Sequence, residues 1–282
     1  MAERGTERGT ERGAEHGAAP MAGAHDASAS ARQTADGELP PAFYGRRGGR
    51  RADWWTLLHP PYTVWHVSYA VIGAGLAPHL NWLALAVTAV AFFLAVGIAA
   101  HALDEFHGRP LGTAISDRTL WAVATIALAG AVGLGVVAVS RSGPALIPFI
   151  VVGVGLVLGY NLELFGGRLH NDFGFAAGWG GFPVAVGYVA QAPPLTGAGV
   201  AAVVLATLAA AAFSHAQRCL STPARTVRRR TRHLSGVITF SDGTRGTLDR
   251  ARVLEPLEGA LRAMSWAVPL LAAAIILARL QA

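Results

Sequence analysis

The chain has 282 residues, of which 52% are hydrophobic and 14% charged, against about 25% charged in a typical soluble domain. The formal charge is +6, all 23 basic residues are arginine, and a lone cysteine, Cys219, excludes an internal disulfide and a cysteine-based zinc finger. So high an apolar content excludes a disordered protein, and its bunching into long runs points to a membrane rather than to soluble domains.

Residues 1–52 carry no apolar run and open on a repeat, Glu3-Arg4-Gly5-Thr6, Glu7-Arg8-Gly9-Thr10, Glu11-Arg12-Gly13-Ala14. A glycine in each repeat costs about 1 kcal/mol in a helix. The segment therefore reads as a disordered, self-neutralising cytoplasmic tail, set apart from a membrane domain at 53–282. It holds no apolar h-region of the kind a signal peptide needs. It ends in Arg46, Arg47, Arg50 and Arg51, read as the cytoplasmic flank of the first span in preference to a nucleic-acid contact.

Seven apolar segments follow, at 62–78, 82–103, 119–140, 143–161, 173–191, 197–217 and 259–279. Each falls within the roughly 17–25 residues that cross a bilayer. The expected fold is all-α, a polytopic membrane bundle of about seven transmembrane helices around a central cavity. Loops 104–118, 162–172 and 218–258 hold nearly all the charge of this part of the chain, and basic loops stay inside. The N-terminus is then cytoplasmic and the C-terminus outside the integral membrane. Between Asp172 and Asp242 there is no acidic residue, while six arginines fall in 218–232. In a membrane protein such a stretch suits lipid headgroups or a diphosphate better than nucleic acid. Further on, Ser241-Asp242-Gly243-Thr244 after a β-rich run predicts a short cytoplasmic hairpin between spans six and seven.

Candidate chemistry lies at the ends of the even-numbered spans. At the end of span two, His101, Asp104 and Glu105 share one face of a continuing helix. Two carboxylates suit Mg²⁺, a hard ion bound through carboxylates and substrate phosphates. The other reading is a pair of interfacial charges, partnered by Arg109. Span four ends in Tyr160 and Asn161, followed by Arg168. Tyr160 is either an interfacial anchor or a ring face for a ligand or a cation. Span six ends in His215, Gln217 and Arg218, followed by Arg225. The sequence His215-Ala216 echoes His101-Ala102 and hints at two similar halves. His59, His66 and His79 lie near the ends of span one with no partner spacing, and read as interfacial.

Several features in order resemble the UbiA superfamily of intramembrane prenyltransferases. His59-Pro60-Pro61-Tyr62 precedes span one. The acidic end of span two runs into Arg109-Pro110-Leu111-Gly112 and Ser116. Tyr160 ends span four, and span five is rich in glycine. The resemblance covers about residues 55–280. It implies a prenyl diphosphate bound at the cytoplasmic side through Mg²⁺, with transfer or cyclisation of the prenyl group. Carried over to this chain, Asp104 and Glu105 hold the metal, and Tyr160 and Asn161 lie near the reacting carbon. His101, Arg109, Arg168, His215, Gln217, Arg218 and Arg225 contact the substrate. The family's second acidic motif is replaced here by Gln217, Arg218, Ser221, Thr222 and Arg225. Arginine is thus expected to clamp phosphate on that side, with Arg218 or Arg225 facing Asp104 across a cavity. The alternative is a non-catalytic UbiA-like membrane protein that binds or moves an isoprenoid or lipid. An unrelated transporter ranks last, because ionisable residues in mid-span are missing.

Overall fold

The computed structural model describes residues 39–193 and 196–280, so the repeat-bearing part of the tail, residues 1–38, lies outside the described residues. The compact unit begins at Pro40, earlier than the boundary expected at residue 53. A strap at 40–47 is tied down where the Arg46 amide donates to Thr56 Oγ1 (2.9 Å) and Trp55 Nε1 donates to the Tyr44 carbonyl (3.0 Å). It leads into α1 (Arg50–Leu57) and α2 (Pro60–Gly75).

The remaining elements are helical except for one hairpin. They are α3 (Trp82–Gly108), α4 (Asp117–Ser142), α5 (Pro144–Asn161), α6 (172–189), α7 (Gly197–Arg230), β1 (Ser235–Thr239), β2 (Arg245–Asp249) and α8 (Arg250–Arg279). Among the described residues five helices, α3, α4, α5, α7 and α8, are long and apolar enough to cross a membrane. Their outward faces carry large apolar side chains, with Ile126, Leu205 and Trp266 about 70% exposed (72, 68 and 71%). A water-soluble bundle would bury such faces, so they are surfaces for lipid. The chain is an integral membrane protein.

Small residues let the helices close on one another. A Cβ at Gly73 of α2 would sit 2.0 Å from the Val184 carbonyl oxygen of α6, and one at Gly187 of α6 would sit 2.0 Å from that of Ala70. The two backbones therefore touch at two levels. On its other side α2 packs against α8. There Arg279, in the last turn of α8, donates to the carbonyl oxygens of Ala77 (3.0 Å) and Pro78, which the end of α2 leaves without helical partners.

Two helices contain π-helical stretches, Phe93–Ala100 in α3 and Ala176–Gly181 in α6. Such stretches re-aim the residues that follow them and are frequent at functional sites. In α7 the helix runs on to Arg230, so residues 218–230, expected in a loop, are the final turns of that helix. The hairpin forms where the turn signal placed it. Ser235 pairs with Asp249 and Thr239 with Arg245. Asp242 Oδ1 accepts from the Thr244 amide (2.9 Å) and hydroxyl (2.7 Å), and Gly243 takes a left-handed φ of 81°.

Replacing Gly73 or Gly187 with alanine sets a methyl group against backbone that cannot yield. Each is expected to cost about 1–3 kcal/mol and to lower the thermal unfolding midpoint in detergent. Gly259→Ala in α8, where the new Cβ meets nothing within 4 Å, should leave the midpoint unchanged or raise it.

Candidate functional site

The start of α2, the ends of α3, α5 and α7, and the start of α8 meet at one end of the bundle. Between them lies a cavity of about 670 Å³. Of the residues singled out from sequence, His101, Asp104, Arg109, Tyr160, Asn161, Gln217, Arg218 and Arg225 line it. Asp104 and the arginines of α7 thus share one cavity.

The end of α3 divides its polar residues between two directions. His101 and Asp104 face the cavity. Glu105, one residue on, is fully buried and points into the following loop. Its Oε2 accepts from the Leu111 amide (2.9 Å), and its Oε1 accepts from the Thr113 amide (2.8 Å) and hydroxyl (2.9 Å). Glu105, expected to share a face with His101 and Asp104 and to hold metal beside Asp104, instead has both its oxygens engaged in holding the loop at residues 111–113. That loop in turn aims Arg109, whose guanidinium donates to the carbonyls of Thr113 (3.2 Å) and Ile115 (2.5 Å) and pairs with Asp117. Asp104, by contrast, makes no hydrogen bond or ion pair among the described residues.

Tyr160 stands between two rings, His170 and Trp179, each with its centroid 4.4 Å away. Its hydroxyl accepts from Arg218 Nη1 (2.8 Å), while Arg218 Nε donates to Asp172 (2.9 Å). Arg218 and Tyr160 are thereby locked together as wall. The Asn161 amide donates to the Val157 carbonyl of its own helix (2.7 Å). Gln217 is 2% exposed, and its buried Oε1 has no hydrogen-bond partner. Arg225 is lightly held: among the described residues its one bond is a long one, 3.4 Å, to Thr222 Oγ1.

Two other expected substrate contacts do not reach the cavity. Arg168 is outside its lining. His215 also lies outside it, beside Cys219 on the outer side of α7, with Sγ 3.6 Å from Nε2. The echo between His101 and His215 therefore does not extend to the cavity lining; Gln217, two residues on, takes the inward position.

The cavity also holds residues that sequence reasoning passed over. His59 and His66, read as interfacial, both line it, whereas His79 is exposed and outside the lining. His59 stacks on His101 with centroids 4.2 Å apart, and its Nδ1 is hydrogen-bonded to the Tyr44 hydroxyl. Burial first, then neighbouring His101 and Arg229, push the His59 imidazole well below the usual histidine range, so it is neutral at pH 7. Burial and then Tyr62 push the Tyr44 phenol up. Arg228 forms a two-point pair with buried Glu258 and donates to the Pro40 carbonyl (3.2 Å), and Arg229 donates to that of Pro41 (2.9 Å). A run of three arginines at 228–230 was visible in the sequence. Its placement depended on the unforeseen continuation of α7.

Six arginines and three carboxylates line the cavity, a formal excess of three positive charges. The carboxylates are Asp104, Glu163 and Glu258. Glu258 is spent on Arg228, and Glu163 lies 3.9 Å from His107 and 3.7 Å from His170. Of the two carboxylates expected to hold Mg²⁺, Asp104 lines the cavity, while Glu105 is buried outside its lining with both oxygens hydrogen-bonded to the following loop. Among the described residues no three His, Cys, Asp or Glu side chains are grouped to hold a metal. Beyond Trp179, which belongs to both walls, an apolar cleft runs between α3, α4, α5 and α6, lined by Phe92, Val96, Val157 and Phe182 among others.

No protein-family model matches the chain, and neither a curated protein nor a solved structure matches it.

Glu105→Ala would strand two buried amides and a hydroxyl, at a cost on the order of 3 kcal/mol. Thermal unfolding of the purified protein should show that loss, and Asp104→Ala should unfold like the parent. The reverse ranking would contradict the division of roles at the end of α3.

Proposed function

We propose that the protein binds a prenyl diphosphate or a closely related isoprenoid lipid and acts on it as a prenyltransferase of the UbiA type. The observation that carries this reading is a cationic cavity beside an apolar cleft, with Trp179 in the lining of both. An amphiphile with a polyanionic head and a hydrocarbon tail has this division of chemistry. The head would meet Arg225 and the guanidinium groups of Arg218, Arg229 and Arg230, and the tail would lie along Phe92, Val96 and Phe182.

Guanidinium groups match the planar, two-point geometry of phosphate oxygens. Fixed in a site screened from water, they also stabilise charge as it grows on a departing diphosphate. The aromatic side chains of Tyr160, Phe175 and Trp179, all in the cavity lining, would surround a developing allylic cation with π electron density. In this reading arginine carries the neutralisation that acidic motifs and Mg²⁺ supply in the family. Both α2 and α6 are read as further crossings, seven in all around the cavity. In this reading the arginine-rich cavity end faces the cytoplasm, in line with the tendency of basic segments to stay inside.

Affinity for farnesyl thiodiphosphate, a slowly reacting analogue, tests the reading in lipid nanodiscs. Wild-type protein should bind it far more tightly than farnesol, which has the tail without the head. Arg225→Ala should raise Kd by roughly tenfold or more, the scale of one charge-assisted contact. Equal affinity for farnesol and the thiodiphosphate would remove the cationic cavity from recognition.

A further inference from the structure

The strap and α1 carry a second cationic surface, outside the cavity. Arg46, Arg47, Arg50 and Arg51 are all exposed. Asp53 is the only acidic residue between positions 40 and 103, and its carboxylate accepts from the Ala114 amide (3.1 Å). Although exposed, Arg46 is fixed in place. Its amide donates to Thr56 Oγ1 (2.9 Å), and its carbonyl accepts from the same hydroxyl (3.1 Å). Its guanidinium carbon lies 4.1 Å from the centroid of the Trp55 ring. That ring is itself pinned by the bond from Nε1 to the Tyr44 carbonyl, yet Trp55 stays 38% exposed. A guanidinium stacked by its face keeps its N–H edges free for phosphate oxygens. Among the described residues the side chains of Arg46, Arg50 and Arg51 make no hydrogen bond or ion pair. Arg51, four residues before Trp55, shares its helical face.

We infer that Arg46, Arg50 and Arg51, set around Trp55, form a binding surface for the phosphate of an anionic phospholipid in the leaflet at the cavity end. None of these residues lines the cavity, so the inference does not depend on what the cavity binds. The surroundings select a membrane lipid over a soluble anion. α1 leads directly into α2, and Asp53 ties it to the loop that joins α3 to α4. At the two ends of that loop Phe106 and Trp121 are exposed, with ring centroids 5.5 Å apart. Exposed aromatic rings at the ends of apolar helices lie at the headgroup level of a bilayer. An arginine stacked on such a ring is held at phosphate depth. Basic side chains near the surface attract anionic lipid by roughly fivefold in affinity each.

Native mass spectrometry of the full-length protein in detergent tests this. The protein is titrated with palmitoyl-oleoyl phosphatidylglycerol and with the phosphatidylcholine of the same chains. Wild type should bind the glycerol lipid roughly tenfold or more tightly than the choline lipid. Arg46→Gln/Arg50→Gln/Arg51→Gln should bring the two affinities to within about threefold of each other. Arg50→Gln/Arg51→Gln, which leaves the strap and its stacked arginine untouched, should lose part of the preference and carries the test if the triple variant does not fold. Arg225→Ala, in the cavity, should keep the wild-type ratio. Equal affinities in wild type, or a preference unchanged in the triple or the double variant, would overturn the inference. So would a preference lost in Arg225→Ala and kept in the triple variant, since that places the lipid in the cavity.

Discussion

The three hydrogen bonds received by Glu105 organise the working end of the bundle. A buried carboxylate satisfied by two amides and a hydroxyl is rigid, since each bond would be costly to leave unmade inside the protein. Here those donors belong to residues 111 and 113, so the end of α3 and the loop behind it become one body. From that body Arg109 is aimed by three acceptors, and Asp104 is left alone toward the cavity. The acidic pair that looked like one metal site in the sequence is therefore two residues with separate tasks. One holds structure, and the other faces whatever the cavity contains.

Charge follows from the same division. With Glu105 withdrawn and Glu258 paired to Arg228, the wall is dominated by guanidinium groups. Such a cluster is unstable in isolation, because like charges repel. The protein offsets this locally. Arg218 leans on Asp172 and Tyr160, Arg228 on Glu258 and Pro40, and Arg229 on Pro41. Among the described residues Arg225 and Arg230 have almost no such support, which leaves their forks open to an anion. The strap at 40–47 contributes carbonyl oxygens to this arrangement, and through Tyr44 it also sets the orientation of His59.

Much of the fold could be read from residue patterns because it rests on local rules. Apolar runs marked the long helices, and Asp242-Gly243 marked the hairpin, where one side chain and one left-handed glycine close the turn. Most of the candidate cavity residues were legible for a similar reason, since polar groups at the ends of apolar helices gather at one level of a bundle. The rest depended on distance. The partners of Glu105 are six and eight residues away, on a loop whose path no periodicity reveals. His59 and His66 acquire meaning from α3 and α6, far along the chain. The Arg228–Glu258 pair spans thirty residues. Residues 40–52 looked like tail because they hold no apolar run, yet Pro41, Ala42, Phe43 and Tyr44 are part of the cavity wall.

The central claim is that arginine, in place of a metal held by paired carboxylates, carries the anionic head of the ligand. Its most direct measurement is the affinity of purified wild-type protein for farnesyl thiodiphosphate in nanodiscs, taken once in excess EDTA and once in millimolar Mg²⁺. The account predicts affinities within a few-fold of each other. Binding that vanishes in EDTA and returns with Mg²⁺ would contradict it.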